Sequence, residues 1–230
     1  MNGYMSFGIN CIQYREVYDM PVFRSGKGLA PKWCEMDFFE IIELPIGTTH
    51  EFGRMGEKEK LIVGKGKCQI NLGDQNIMAE KGANLDLTSQ DERFRVKEVM
   101  EPVTLIRMCG RWGDETGGSG IFTANQNDNP NNPGDPVDYP RNTNFDNHFH
   151  DCDEYWILFE GRGIAVSEGK HYDVSAGDCV VTGMGYHHDF PNIFEPVTAV
   201  YFETTLEGEK RHGHLWSYQQ GKAEPKMDRI

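Results

Sequence analysis

The sequence has no apolar run close to the roughly 20 residues that a membrane-spanning helix requires, which argues against an integral membrane protein. Its first twenty residues are broken by polar side chains too often to form the hydrophobic region of a secretory signal. The six cysteines include no C-x-x-C pair, and in a chain of 230 residues this scatter is typical of reduced thiols. Together these absences predict a cytoplasmic protein.

Positive charge is also scarce. The chain has 23 Lys and Arg against 36 Asp and Glu, a formal net charge of -13. Nucleic acids and anionic membranes are bound through clustered Lys and Arg side chains, so neither is expected as the main partner. A small molecule is the expected partner instead, and the 38% hydrophobic content is that of an ordinary globular protein.

Helical periodicity over twelve or more residues is missing, and short strand-like runs take its place. These runs are rich in β-branched and aromatic residues and are closed by some of the 26 Gly and 11 Pro. They predict an all-β fold, either a sandwich or a barrel. The clearest runs cover 38–47, 60–73, 103–110, 154–174, 177–183 and 196–206.

One segment without strand-like character divides the chain. Residues 124–136 hold five Asn and three Pro, which favour turns, and almost nothing that can be buried. We therefore predict a linker loop over 113–143. It separates an N-terminal domain, 1–112, from a C-terminal domain, 144–230.

The two predicted domains share a pattern of glycine turns and strands. The pattern runs through 64–87 and returns in 161–181 with slightly shorter spacing. Two copies of one β unit explain it economically, whereas the alternative is the chance likeness of any two β-meanders.

The most informative stretch is 144–161, where three residues are typical metal ligands. His148 and His150 are two apart, so on one strand their imidazoles point to the same face. Glu154 would lie about 20 Å from His148 along a straight strand, so the chain has to turn back, and Asp-Cys-Asp at 151–153 favours that turn. A fourth ligand, a third imidazole nitrogen, can come from MGYHHDF at 184–190. Three imidazoles and one carboxylate suit a divalent ion that acts as a Lewis acid.

The segment HFHDCDEYWILFEG resembles the first motif of the cupin superfamily. His148, His150, Glu154 and Gly161 are in register with that motif, although its leading Gly is absent. This part of the resemblance implies two imidazole ligands and one carboxylate ligand.

A second cupin motif consists of a Gly-Asp turn and a His eleven residues after the Gly. Gly177 and Asp178 place that His at His188, while Ser175 stands where the family usually has Pro. The resemblance implies that His188 is the remaining ligand of a single divalent ion, which can be Mn, Fe, Zn, Ni or Co. It also implies double-stranded β-helix (jelly-roll) barrels, two of them in tandem as in a bicupin, with a possible homodimer.

The first half of the chain shows the same motif in degenerate form. It keeps His50 and has Glu57 seven residues before Gly64, but Phe52 replaces the second imidazole. Arg93 stands eleven residues after Gly82, at the position where the second motif would have His. One His and one carboxylate make a poor metal site, so we expect no metal here and interpret His50 as a core or rim residue.

Six further residues near the motifs are candidates for chemistry or substrate binding. The proton carriers are His187, Tyr186 and Glu203, although the face of the strand to which Glu203 points is open. Arg141 and Tyr139 precede the metal motif and are expected to bind substrate, although Arg141 fits a solvated linker equally well. Trp156 shares strand parity with Glu154 and is expected to floor the cavity, where it either contacts substrate or packs in the core.

Two other features have plainer interpretations. His212 and His214 form another H-x-H pair, but they lie on a polar tail without a nearby strand carboxylate, so we expect them to be solvated. Cys152, between the ligands, is interpreted as a residue that fills the turn.

Three functions fit the sequence. The first is a metal-dependent isomerase, epimerase or lyase acting on a small oxygen-rich substrate such as a sugar, sugar acid or keto acid. The second is an Fe(II)-dependent dioxygenase. The third is a non-catalytic, small-molecule binding protein for sugars. The resemblance to cupins spans all three, because fold alone does not give function.

Overall fold

The computed structural model describes residues 22–26, 29–87 and 92–230. Nearly all of its regular structure is β, with one short helix, α1 (Ser217–Gln220), near the C-terminus. No helix in these ranges is long and apolar enough to cross a membrane. The strands are β1 (Val22–Arg24), β2 (Met36–Leu44), β3 (His50–Gly53), β4 (Lys58–Leu72), β5 (Gln75–Glu80), β6 (Asn84–Leu87), β7 (Arg93–Gly110), β8 (Ser119–Ala124), β9 (Glu154–Ser167), β10 (Lys170–Ser175), β11 (Asp178–Thr182) and β12 (His188–Glu203).

The strands whose pairing the structure describes form two six-stranded antiparallel sheets. The first has the order β2-β7-β4-β5, with β3 on β7 and β6 on β4. The second has the order β1-β11-β9-β12-β8, with β10 on β9. The longest strands, β4 and β7 in one sheet and β9 and β12 in the other, change register at bulges, which bend a strand and increase its twist. The prediction of an all-β fold with jelly-roll barrels is confirmed.

The two sheets repeat one connectivity with matching register. Strands β4 to β7 pair among themselves as β9 to β12 do, and Glu59 lies opposite Cys109 as Glu154 lies opposite Glu203. The repeated pattern of glycine turns in the sequence has this structural counterpart. The organisation as a tandem bicupin remains a prediction.

A glycine marks the same bend in each repeat. Gly66 and Gly161 have φ of +76° and +80°, a region that L side chains rarely adopt. A Cβ at either position would lie 2.0 Å or 2.1 Å from the carbonyl oxygen of Pro102 or Pro196, respectively. Each long strand therefore needs glycine where it passes its neighbour at the bulge.

Hydrophobic side chains fill each sheet and also the space between the sheets. Leu61, Ile70 and Leu105 belong to the core of the first sheet. A second core in the other sheet includes Trp156, Leu158, Phe190 and Ala199. A third cluster joins both sheets and is built from Phe23, Met36, Phe39, Ile62, Ile106, Met108, Trp112, Tyr155, Ile157, Phe159, Val181, Val200 and Phe202, among others. The two sheets therefore share one buried interface.

The structure corrects the prediction of a linker over 113–143. Strand β8 lies inside that range and pairs with β12 at the edge of the second sheet. Its strand signal is weak in the sequence because glycines surround it. Those glycines serve packing, since a Cβ at Gly117 or Gly120 would approach the side chain of Glu203 or Tyr201 to within about 3 Å. The domain limits 1–112 and 144–230 remain predictions. Strand β1 lies within the first of these ranges but pairs with β11, which lies within the second.

Candidate metal centre

The four predicted ligands lie together at one end of the second sheet. Glu154 begins β9, His188 begins β12, and the backbones of His148 and His188 exchange two hydrogen bonds of 3.2 Å and 2.9 Å. His148 and His150 thus stand on an extended segment before β9 rather than on a named strand. The chain bends at Asp151 and brings the Glu154 carboxylate to 3.4 Å from His150 Nε2 and 2.7 Å from His188 Nε2.

The potential ligand atoms are buried and face one another, and none has a hydrogen-bond partner among the other described residues. His148 Nε2, His150 Nε2, His188 Nε2 and Glu154 Oε2 make no hydrogen bond of normal geometry to any residue that the structure describes. One ligand atom from each residue lies within 4.8 Å of the others. Buried polar atoms normally have partners, because an unsatisfied group costs about 1–3 kcal/mol. The group therefore fits a bound metal ion.

The far nitrogen of each imidazole fixes its orientation. His148 Nδ1 donates to the carbonyl of Asp146 at 2.9 Å, and His150 Nδ1 donates to the carbonyl of Gly213 at 2.9 Å. His188 Nδ1 donates to the carbonyl of Tyr186 at 3.3 Å. A carbonyl oxygen only accepts, so each Nδ1 carries the proton and each Nε2 keeps its lone pair for a metal.

Burial and the charges within the cluster shift the pKa values of its four members in different directions. Burial and the imidazoles of His188 and His150 hold the pKa of His148 well below its usual value, and burial lowers the pKa of His188 despite the nearby Glu154 carboxylate. Burial opposes the charged form of Glu154, but the imidazoles outweigh it and hold its pKa well below the usual range. Burial also opposes the charged form of His150, yet the Glu154 carboxylate raises its pKa. The Glu154 carboxylate attracts a proton to His150. A metal cation bound among these groups would interact with that carboxylate in place of the proton.

Aromatic rings enclose the cluster on its inner side. The Trp156 ring centroid lies 5.1 Å from that of His188, and the Phe145 centroid lies 6.0 Å from that of His148. Trp156 is 3% exposed and also packs against Phe145 and Phe190. The structure thus places Trp156 in the hydrophobic core beside His188, which is the core-packing alternative, and a position at the floor of a cavity remains a prediction. Contact with a substrate remains a prediction.

Glu203 is the predicted proton carrier that lies against the cluster. Its side chain is buried, and Oε1 is 3.6 Å from His150 Nδ1. Its other carboxylate oxygen, Oε2, accepts a hydrogen bond from the backbone N–H of Gly118. The open question of its direction is resolved, since Glu203 faces the same side of the sheet as Glu154.

His187 and Tyr186 contact other parts of the molecule. His187 Nε2 lies 2.8 Å from Asp135 Oδ2, and its ring packs against Phe149. The Tyr186 ring lies near Gly183. Burial, followed by the nearby Glu168 carboxylate, raises the pKa of the Tyr186 phenol. Adjacent residues of an extended chain point to opposite sides, so binding through His188 turns His187 away from the cluster.

Arg141 and Tyr139 are engaged within the protein. The Arg141 guanidinium forms an ion pair with Asp189 and donates to the Phe145 carbonyl at 2.6 Å. The Tyr139 hydroxyl donates to the same Asp189 carboxylate at 2.9 Å. The Asp189 side chain is fully buried, so these partners compensate its charge. The expectation of a solvated linker Arg is wrong, and the predicted role in substrate binding has no support in these contacts.

Sequence reasoning missed the contribution of the C-terminal tail. The His214 ring stacks on the His148 ring with centroids 3.6 Å apart and planes 4° from parallel. His214 is exposed, as expected, with 41% of its side-chain surface accessible, but its Nδ1 also lies 2.8 Å from Asp146 Oδ2, a contact that the sequence does not predict. The H-x-H spacing was the available signal. The carboxylate that identifies this site is 68 residues away in the sequence.

The corresponding place in the first sheet holds an ion pair. Glu59 has the register position of Glu154, and Arg107 donates to Glu59 Oε2 from Nη2 at 2.6 Å and from Nε at 2.9 Å. Phe94 pairs with the last residue of β4, as His188 pairs with the last residue of β9. Phe94 stacks against Phe52 with centroids 4.8 Å apart. Among the described residues of this sheet no group of potential metal ligands comes together.

Two counterparts assigned from the sequence need correction. Counting from Gly64 points to Glu57, but the glycine equivalent to Gly161 is Gly66, so Glu59 is the true counterpart of Glu154. The bulges also shift the second motif by one residue, from Arg93 to Phe94. His50 is exposed, and its ring lies 4.4 Å from that of Phe52 at the rim of the sheet.

The antiparallel barrel strands, with three histidines and one glutamate clustered at one end, have the cupin fold. AerE from Microcystis aeruginosa aligns with a TM-score of 0.55 at 10% identity, covering 82% of this chain and 100% of that one. YhaK from Escherichia coli aligns with a TM-score of 0.52 at 10% identity, covering 80% of this chain and 93% of that one. A cupin 2 conserved barrel domain protein from Leptotrichia buccalis aligns with a TM-score of 0.40 at 12% identity, covering 73% and 83%. At these identities the likeness to AerE and YhaK concerns the fold alone.

The chain belongs to the same family as the uncharacterized protein y4oW of Sinorhizobium fredii. The two are 39% identical over 225 residues, which cover 94% of this chain and 99% of the relative. No family model matches the chain.

Proposed function

We propose that this chain is a metal-dependent enzyme that moves a proton within a small oxygen-rich substrate, such as a sugar, a sugar acid or a keto acid, as isomerases, epimerases and lyases do. The supporting observation is the set of four buried ligand atoms without partners among the described residues, with the Glu203 carboxylate beside them. Four protein ligands leave about two positions of a six-coordinate ion for substrate oxygens. A divalent ion held there supplies Lewis acidity to those oxygens.

The residues of the chain have separate tasks in this proposal. The three imidazoles and Glu154 hold the ion, and the aromatic rings around them exclude water. The N–H of Gly118 fixes Glu203 Oε2, while Oε1 has no such partner in the described ranges and lies 3.6 Å from Nδ1 of the ligand His150. Glu203 Oε1 is therefore the atom that we assign to hold and release the proton, a task that contributes about 10²–10⁴-fold to a rate.

Solvent deuterium exchange tests the reaction class. Metal-loaded protein is incubated in D₂O with a panel of sugars, sugar acids and keto acids, and C–H exchange is followed by NMR. Glu203→Gln should slow exchange by about 10²-fold or more, whereas Glu195→Gln, an exposed carboxylate on the same strand, should exchange normally. Absence of exchange with every compound would contradict this function.

The aromatic enclosure favours a second candidate, an Fe(II)-dependent dioxygenase, because such chemistry needs a dry pocket with open metal positions. Oxygen consumption by the Fe(II)-loaded protein with aromatic or thiol substrates, without C–H exchange, would select it. If neither reaction occurs but a sugar raises the midpoint of thermal unfolding, the protein is a binding protein.

A further inference from the structure

The C-terminal segment, residues 206–230, lies against the loops that carry the metal ligands. Leu215 and Phe149 exchange two backbone hydrogen bonds of 3.0 Å, one residue from His148 and His150. Near the end of the segment, the Arg229 guanidinium lies 2.9 Å from the buried carboxylate of Asp153, the residue before Glu154. Contacts on both sides of the cluster thus hold the segment in place, whereas from the sequence we interpret it only as a polar tail.

Two residues of this segment contact ligand histidines directly. The Gly213 carbonyl accepts the hydrogen bond from His150 Nδ1, and the His214 ring stacks on the His148 ring. Gly213 has φ of +104°, so the direction of its carbonyl depends on a backbone conformation that favours glycine.

Asp146 joins the two stacked rings. Its backbone carbonyl accepts from His148 Nδ1, and its carboxylate oxygen Oδ2 accepts from His214 Nδ1 at 2.8 Å. The Trp216 indole N–H donates to the same oxygen at 2.8 Å. Both Nδ1 edges are therefore tied to one residue, and His148 Nε2 is directed away from it toward the other ligands.

We propose that Gly213 and the Asp146–His214 pair are positioning residues of the metal centre, which hold His150 and His148 with Nε2 toward the ion. This inference rests on the metal binding proposed above. Groups that orient metal-ligating histidines alter metal affinity by about 10–100-fold, because they fix both tautomer and ring direction.

Matched glycine variants test the role of the Gly213 carbonyl. Gly213 and Gly221 both have positive φ, +104° and +87°, and a Cβ at either meets nothing within 4 Å. Gly213→Ala and Gly221→Ala therefore impose a similar backbone strain, but only the first disturbs a ligand histidine. We expect Gly213→Ala to weaken Co²⁺ binding about 10-fold or more and to change the visible spectrum of bound Co²⁺, with Gly221→Ala resembling the unmodified protein.

Histidine variants test the stacked pair in the same way. His214→Ala should weaken Co²⁺ binding about 10-fold, whereas His212→Ala, exposed on the same segment, should not. His214→Phe keeps a stacked ring but loses the Nδ1 donor. Its Co²⁺ affinity should therefore lie between those of His214→Ala and His212→Ala. Thermal unfolding of the metal-free variants separates lost affinity from lost folding.

The outcomes distinguish this inference from the proposed function. Equal Co²⁺ affinities and spectra for the unmodified protein, Gly213→Ala and His214→Ala would overturn the positioning role and leave metal binding intact. Failure of the unmodified protein to bind Co²⁺, Mn²⁺ or Zn²⁺ would overturn both.

Discussion

His148 and His150 each supply one nitrogen to the cluster and use the other to contact a backbone carbonyl. Replacing either by Ala removes a ligand from a four-ligand set. We expect His148→Ala and His150→Ala to lose the metal, as measured by elemental analysis of purified protein. Full occupancy in both variants would remove these residues from the site.

His50 provides the matching control in the first sheet. It is exposed and contacts Phe52 rather than another potential ligand. We therefore expect His50→Ala to keep the metal content of the unmodified protein. A second metal per chain that disappears in this variant would show that the first sheet binds metal after all.

At the residue scale, the sequence predicts those site residues that lie close together in short motifs. His148, His150 and Glu154 fall within seven residues, and a Gly-Asp turn counts forward to His188, so local motifs suffice to bring the four together. His214 and Glu203 could not be assigned in this way. Their positions depend on strand register and on a tail that returns from far along the chain, which no local pattern records.

The bulged glycines belong to the element scale, because each one lets a long strand bend past its neighbour. Gly161→Ala forces a Cβ to within 2.1 Å of the Pro196 carbonyl at positive φ, whereas Gly169→Ala has a similar φ and open space. We expect Gly169→Ala to cost about 1–2 kcal/mol of the free energy of unfolding, and Gly161→Ala clearly more. Urea denaturation measures both, and equal losses would show that the close approach is unimportant.

The Arg107–Glu59 pair makes a second prediction at this scale. Arg107 is 1% exposed, so its removal leaves the Glu59 carboxylate buried without its cation. Arg107→Met should lower the free energy of unfolding by about 3–5 kcal/mol without changing metal content. Arg111→Met, at an exposed ion pair with Asp37, should cost less than about 1 kcal/mol in the same urea titration.

Strand prediction succeeded where side chains alternate and failed where packing requires glycine. Strands β4 and β9 follow from their hydrophobic runs. Strand β8 did not, since glycines before it and within it interrupt the alternation, and those glycines lie against the side chains of Glu203 and Tyr201.

At the scale of the whole molecule, the interior holds reduced thiols in both sheets. The five cysteines within the described ranges are buried and free, and burial raises the pKa of each thiol, in the case of Cys109 to about 12. We expect them to resist alkylation in the native protein and to react together on unfolding, because thiolate formation needs solvent. Peptide mapping after timed labelling checks this, and rapid native labelling of any of Cys34, Cys68, Cys109, Cys152 or Cys179 would contradict it.

Strand β1 has a consequence for the order of events during synthesis. It pairs with β11, and the Arg24 side chain bonds to Asp178, a residue 154 positions later in the chain. At about 5–20 residues per second, a ribosome needs roughly 8–30 s to produce that partner after Arg24 is made. The first sheet has all of its own strands long before then. The nascent chain therefore carries β1 unpaired while the first sheet can already form, and this early strand closes the edge of the second sheet only after β11 has been made.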